Sequence, residues 1–374
     1  MNFSFWEKYF IESPTDVTII GSGIVGLSTA ISIKTARPDL SIKILERGSS
    51  PYGASTKNAG FACFGSVSEL LDDIESMGEN ACMEVVKLRW DGLHKLKSRV
   101  SESVMKYQND GGTELFRPQD SELKEKCLDQ ISYCNQLMSE YLGIDQCYVI
   151  QKNTTLDKFS STAIFNSFEG TINPVFMMNA LICQAISLGV QLVNCIQIID
   201  IDQPNHILTT DDGLKINFNK LIVCTNGFTA QLLPELSVVP ARNQVLITSP
   251  IPEINLPSAY HVDKGYLYFR QYEGRILLGG GRNMDAKNET TTEFGNTEVI
   301  KAYLLDFLES IHEGASDRVV YWWSGILGVG ASKFPICKWV DNDILVGVRL
   351  GGMGVAIGTQ LGETLADEVL KSFL

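Results

Sequence analysis

Three glycines and a glutamate near the N-terminus are the first residues whose types and spacing can do chemistry. Gly21-Ser22-Gly23-Ile24-Val25-Gly26 follows the apolar run Val17-Thr18-Ile19-Ile20 and opens a helix-compatible stretch. Glu46 closes a second apolar run, Ile42-Lys43-Ile44-Leu45, twenty residues beyond Gly26. Strand, glycine turn, helix, second strand and terminal acid, in that order, supply the context that a bare G-x-G-x-x-G lacks, and they predict a dinucleotide-binding unit. Gly21 permits the turn, Gly23 lets the backbone approach a pyrophosphate, and Gly26 lets the helix pack close to the strand. The first helical amides, at Ile24 and Val25, then point at the phosphates. Glu46 is placed to accept both hydroxyls of an adenosine ribose, a charge-assisted interaction worth roughly 1.5–3 kcal/mol. It would repel a 2′-phosphate, so NADP is disfavoured.

The elements that must position these residues come from the whole chain. Its 374 residues suit two domains, or one large domain with an insertion. No apolar run approaches the length needed to span a bilayer. The net charge of −13 repels phosphate backbones and argues against nucleic acid as a partner. Nine cysteines without a C-x-x-C pair, several in apolar contexts (Cys183, Cys195, Cys224), read as reduced core thiols of a cytoplasmic protein. Four histidines with no ligand spacing among them predict no metal site. The N-terminus lacks the basic and apolar segments of a secretory signal, and Trp6 and Phe10 are expected to cover an edge of the first domain.

Helical character runs from Ser66 to Tyr107 with a break near Gly78, again from Ser121 to Tyr141, and from Met177 to Leu188 up to Gly189. A small meander follows, through Ile196–Ile201 and Ile216–Phe218, and then the short apolar strand Lys220–Thr225 closed by Asn226-Gly227. Strand patterns dominate from Val239 to Gly281 and predict an antiparallel sheet. The chain ends in Ile344–Val346, a second glycine turn at Gly351-Gly352-Met353-Gly354, and a helix with Ile357, Leu361, Leu365 and Val369 on one face. A second glycine turn before a helix, so far from the first, predicts a nucleotide domain assembled from both ends of the sequence, with the antiparallel middle inserted.

These residues resemble the FAD-dependent oxidoreductases of the D-amino acid oxidase, glycine oxidase and sarcosine oxidase superfamily, and the resemblance covers nearly the whole chain. Besides the first glycine turn and Glu46, it rests on Gly53-Ala54-Ser55-Thr56-Lys57-Asn58-Ala59-Gly60, on Glu169–Pro174, on Thr225-Asn226-Gly227, and on Trp323-Ser324-Gly325 with Gly351–Gly358. The resemblance implies an α/β fold: a Rossmann-like FAD-binding domain with an inserted antiparallel-sheet (α+β) substrate domain. Residues 1–85, 150–238 and 325–374 would form the first, and 86–149 and 239–324 the second. It implies non-covalent FAD, with Cys337 a core or loop thiol. Ser55 to Gly60 would run over the flavin and its ribityl chain, Ile198 would meet adenine through its main chain, and Arg47, Thr225, Asn226, Gly227 and Gly325 would join the cofactor site. The turn Gly351, Gly352, Met353 and Gly354, with Val355 and Ala356, would aim helix amides at the pyrimidine edge of the flavin, where reduction places negative charge.

The reaction so implied is hydride transfer from the carbon beside an amine to flavin N5, giving an imine, with a small amine or amino acid as the substrate. No dedicated base is required if the amine binds deprotonated, so the substrate must be held by its far end. Two departures from the family pattern bear on this. The arginine that anchors a substrate carboxylate in glycine-oxidase-like relatives is absent from Trp323–Gly328. The lysine that sarcosine oxidases place under the flavin is absent from Ile276–Gly281, which leaves the electron acceptor open. Candidates on the substrate side are Tyr266, Tyr268 and Arg270, which alternation puts on one strand face, together with Arg282 and Arg349. Of these, Arg349 or Arg270 is expected to fix the anionic end, aided by Tyr266; a solvated sheet face, or structural pairing with nearby acids, is the other reading. Two further functions fit the same fold: an oxidase acting on a modified tRNA uridine side chain, and a flavin-binding protein without amine turnover. The oligomeric state is open.

Overall fold

The computed structural model describes residues 3–373, so the expected domain limits at residues 1 and 374 lie outside the described residues. A six-stranded sheet forms the first layer, in the order Ile336–Asp341, Ile344–Val348, Lys220–Val223, Val17–Ile20, Ile42–Leu45, Gln191–Val193. Every neighbouring pair is parallel except the edge pair Ile336–Asp341 with Ile344–Val348. Parallel strands are covered on both faces, which is why Val17–Ile20, Ile42–Leu45 and Ile344–Val348 are buried at every position. The sheet thus draws strands from both ends of the chain and its middle. Helices Ile24–Ala36, Pro174–Ser187 and Gly354–Lys371 contribute to the same core. Pro174 starts its helix where the missing N–H is harmless, and the Asn173 carboxamide caps the amides of Val175 and Phe176.

An eight-stranded sheet forms the second layer, in the order Val319–Val329, Val239–Thr248, Arg275–Gly280, Leu267–Tyr272, Ala259–Val262, Gly112–Glu114, Thr162–Asn166, Tyr148–Lys152. It is antiparallel except where Ala259–Val262 meets Gly112–Glu114. Helix Glu298–Ile311 packs Leu304, Phe307 and Leu308 among Phe269, Ile276 and Leu278. The opposite face presents Val245, Leu277 and Tyr268, which pack with Ala59, Phe61 and Trp323. Strands Tyr148–Lys152 and Thr162–Asn166 and the whole of Val319–Val329 belong to this sheet. Helix Glu79–Arg99, by contrast, packs against Gly354–Lys371.

Two smaller expectations are corrected. Helix Phe5–Glu12 buries only Ile11 and leaves Trp6 and Phe10 at 77% and 45% exposure, so these aromatics cover no edge. Cys183 and Cys195 are exposed, because the first sits on the outer face of its helix and the second in a left-handed turn with φ 61°; Cys224 is buried.

Glycines set the spacing of the helices around the first sheet. A Cβ on Gly358 would lie 2.5 Å from Ile24 Cγ2, one on Gly362 2.5 Å from Ser28 Cβ, and one on Gly92 1.9 Å from the Ala356 carbonyl oxygen. Gly92→Ala should therefore push helix Glu79–Arg99 off Gly354–Lys371 and cost about 1–3 kcal/mol by overpacking. A lowered melting temperature with reduced FAD content is the expected result, and an unchanged melting temperature would contradict the close contact.

Candidate active site

The first cleft opens at the carboxyl ends of the parallel strands, where open α/β sheets bind ligands. Gly21 adopts φ 103°, and a Cβ there would lie 2.9 Å from the Cys224 carbonyl oxygen. A Cβ on Gly26 would come within 2.1 Å of the Gly21 oxygen, so the third glycine serves helix–turn packing. Gly23 caps helix Ile24–Ala36 without a side chain of its own; the Ser55 hydroxyl instead accepts from the Ile24 amide at 3.0 Å. Glu46 is 4% exposed. One carboxylate oxygen accepts from the Ser22 amide at 3.0 Å and the Ser22 hydroxyl at 2.8 Å, the other from the Gly48 amide at 3.0 Å. The Tyr52 amide adds a fourth bond at 3.3 Å, and together these bonds fix the orientation of the carboxylate at the edge of the cleft.

Beside it, the Arg47 guanidinium is stacked between Phe228, 3.6 Å from its ring centroid, and Tyr52, at 4.3 Å. Burial lowers its pKa, and its Nη2 has no hydrogen-bond partner among the described residues. A buried donor left unpaired is costly. Arg47, Glu46 and Ile198 all line this cleft, so an acceptor-rich dinucleotide fits the residues present.

The other wall is the second glycine turn. Gly351 and Gly352 adopt φ 59° and 88°, and helix Gly354–Lys371 begins with no side-chain cap. Asn226, itself at φ 45°, ties this turn to the end of Lys220–Val223: its side-chain oxygen accepts from the amides of Arg349 at 3.1 Å and Leu350 at 3.3 Å. Two helix N-termini, neither capped by its own preceding residue, thus border one cleft, each carrying roughly half a positive charge.

A second cleft of about 260 Å³ adjoins the first and shares Ala54, Asn58, Leu327, Leu350, Gly352 and Val355 with it. Its walls carry many charges, most of them paired. Arg89 meets Glu69 at 3.0 Å, Lys264 meets Asp72 at 2.5 Å, and Lys333 meets the buried Asp73. His261 meets Glu169 at 3.1 Å, and Glu169 also accepts from the amides of Phe64 and Gly65. Burial opposes charge on His261, but the hydrogen bond and attraction of Glu169 outweigh it and hold the imidazole above its usual range. Burial likewise opposes charge on Glu169, and His261 with the two amides holds its carboxyl below the usual range. Cys63 stands within ligand range of both. Burial first, then Glu169, pushes its thiol well up, so it offers no thiolate, and the cluster reads as a buried ion pair.

The structure brings most of the expected site residues together. Gly21, Gly23, Ile24, Val25, Glu46, Arg47, Ser55, Asn58, Ile198, Thr225, Asn226, Gly352, Gly354 and Val355 line the first cleft. Lys57, Ala59, Tyr266, Gly325, Gly351, Met353 and Ala356 line the second, with Asn58, Gly352 and Val355 again. Gly26, Thr56, Gly60, Gly227, Arg270 and Arg349 line neither. Gly227 is packed against strand Val319–Val329, where a Cβ would lie 2.4 Å from the Leu327 oxygen, and the Thr56 hydroxyl bonds the Pro51 carbonyl. Arg270 shares a strand face with Tyr268 but is 3% exposed, with Nη2 on the Ile172 carbonyl at 2.9 Å and close to Gly60; burial lowers it to about 10. Arg349, at φ 66°, turns its guanidinium onto the Phe334 carbonyl at 3.0 and 3.1 Å. Cys337 lines neither cleft and is pushed up to about 11 by burial. Sequence reading missed Ser22, at a variable position of the first glycine motif, and Tyr52, Phe228 and His261, which belong to no spaced motif.

The ion pair sets a pH dependence. The contribution of His261 is full below pH 6.5 and is lost as pH rises through its raised value; that of Glu169 is full above pH 4.5 and is lost as pH falls through its lowered one. His261→Gln should therefore lower the melting temperature most between mildly acidic and neutral pH, with the gap from the parent narrowing in alkali. A gap that does not change with pH would contradict the pairing.

Comparison with known proteins agrees with this geometry. The curated relatives include the gamma-glutamylputrescine oxidoreductase of Escherichia coli (strain K12), 24% identical over 376 residues that cover 95% of this chain and 83% of that one. Among solved structures, L-proline dehydrogenase from P. horikoshii superposes with a TM-score of 0.74 at 15% identity, covering 96% of this chain and 94% of that one. Glycine oxidase from Geobacillus kaustophilus gives a TM-score of 0.74 at 18% identity, covering 96% and 95%. These superpositions show a shared fold. Residues 16–368 match the family model described as FAD dependent oxidoreductase, so the chain belongs to that family and the dinucleotide of its first cleft is FAD.

Proposed function

We propose that the protein oxidises the carbon–nitrogen bond of a small amine or amino acid. The observation that carries this reading is the second cleft, which continues from the FAD cleft where helix Gly354–Lys371 begins. The relatives' names point the same way, since gamma-glutamylputrescine, L-proline and glycine all contain such a bond. Bound FAD supplies an acceptor for the hydride and its electron pair.

The chain's own residues orient the substrate and tune the site. The uncapped amides of the final helix stand ready for negative charge that develops beside them. The Tyr268 phenol accepts from the Asn243 side chain at 2.7 Å, and burial pushes its pKa up, so it keeps a proton to donate. Phe61 packs edge-on to Tyr268 and to His261, at 5.2 and 5.6 Å, and excludes water from that wall. Hydride loss needs the nitrogen lone pair, hence a neutral amine. The acids that line the cleft, Glu69 and Asp72, each face a cation, so no free carboxylate among the described residues holds the amine as ammonium. Nine free cysteines support a reducing, cytoplasmic setting, and no helix among the described residues is long and apolar enough to cross a membrane.

Anaerobic mixing of the holoenzyme with amino acids, N-methyl amino acids and polyamines should bleach the flavin with one of them. Bleaching by a hydroxy acid or polyol, and by no amine, would overturn the reading. Glu46→Gln, which removes the charge while keeping the shape, should weaken FAD about ten- to hundredfold in a retention titration.

A further inference from the structure

We propose that Arg282 is the specificity-determining residue of the second cleft, and that the substrate is an amine carrying a carboxylate. This rests on the amine-oxidising reading above. Six basic side chains line the cleft, and four of them face an acid. The remaining two are Lys57 and Arg282. The Lys57 ammonium already donates to the Tyr52 carbonyl at 2.7 Å. The Arg282 guanidinium has neither a hydrogen bond nor an ion pair among the described residues. It lies 5.6 Å from the centroid of the Tyr266 ring, and its charge also acts on the buried Tyr268 phenol.

The backbone explains its placement. Gly280 and Gly281 adopt φ 119° and 75°, which ends strand Arg275–Gly280 and swings Arg282 into a short turn at the mouth of the cleft. Tyr266, on the hairpin opposite, is 38% exposed there and brings a phenol with no hydrogen-bond partner among the described residues. A chain of net charge −13 repels anions from most of its surface. An unmatched guanidinium in a concave site reverses that locally and draws an anion in. Its planar fork grips both oxygens of a carboxylate, and the neighbouring phenol adds a third donor. With the anion at the mouth, the amine end reaches inward toward Met353 and Ala356. Arg270 and Arg349 cannot do this, because their guanidinium groups are turned onto the carbonyls of Ile172 and Phe334.

The test compares the holoenzyme with Arg282→Met and Arg282→Lys in two measurements. In the first, anaerobic flavin reduction is followed with carboxylate-bearing amines and with their methyl esters. In the second, simple carboxylates lacking an amine are titrated against the flavin absorbance spectrum, which needs no turnover. Arg282→Met should raise the apparent dissociation constant of the acids roughly ten- to hundredfold, leave esters, FAD content and melting temperature unchanged, and be partly rescued by lysine. Equal handling of acid and ester by the parent, or unchanged affinities in Arg282→Met, would overturn the assignment. If no amine bleaches the flavin, yet carboxylates perturb the parent spectrum and not that of Arg282→Met, the anchor stands and the amine-oxidising reading fails.

Discussion

Two helices from opposite ends of the chain meet with almost no side chain between them, at Gly358 against Ile24 and at Gly362 against Ser28. That contact aligns the starts of Ile24–Ala36 and Gly354–Lys371 at one cleft. Neither helix begins with a residue that caps its own amides. The N-terminal half-charges therefore act on whatever occupies the cleft. A methyl group at either glycine would separate the helices and remove one pole of the site. The same constraint explains why the parallel sheet takes strands from both ends of the sequence, since each helix needs its own strand and turn behind it.

Electrostatics in the second cleft follows a different logic. Taking charges out of water is expensive, and removing one partner of a buried pair costs about 3–5 kcal/mol. The walls are built of such pairs, with Arg89 between Glu69 and Asp73 and with His261 on Glu169. Fixed pairs hold wall residues in place and offer little net charge to a ligand. What reaches a substrate is the remainder: helix amides, two tyrosines and one unmatched guanidinium.

What the amino-acid sequence by itself determined is the part whose physical requirement is local. Gly21 needs its positive φ, Gly26 needs its close approach to the Gly21 oxygen, and Glu46 ends the adjoining strand, so a local spacing located the first cleft. The period of the last helix and the glycine turn before it were legible for the same reason. Tertiary structure decided the rest, because it depends on which strands abut. Alternation correctly placed Tyr268 and Arg270 on one face, yet only the approach of Gly60 and Ile172 shows that Arg270 is enclosed. The stacking of Arg47 joins Tyr52 to Phe228, and Asn226 binds the amides of Arg349 and Leu350; both cross more than a hundred residues of sequence. Whether an arginine is free or engaged is a property of its neighbours, and those neighbours are chosen by the fold.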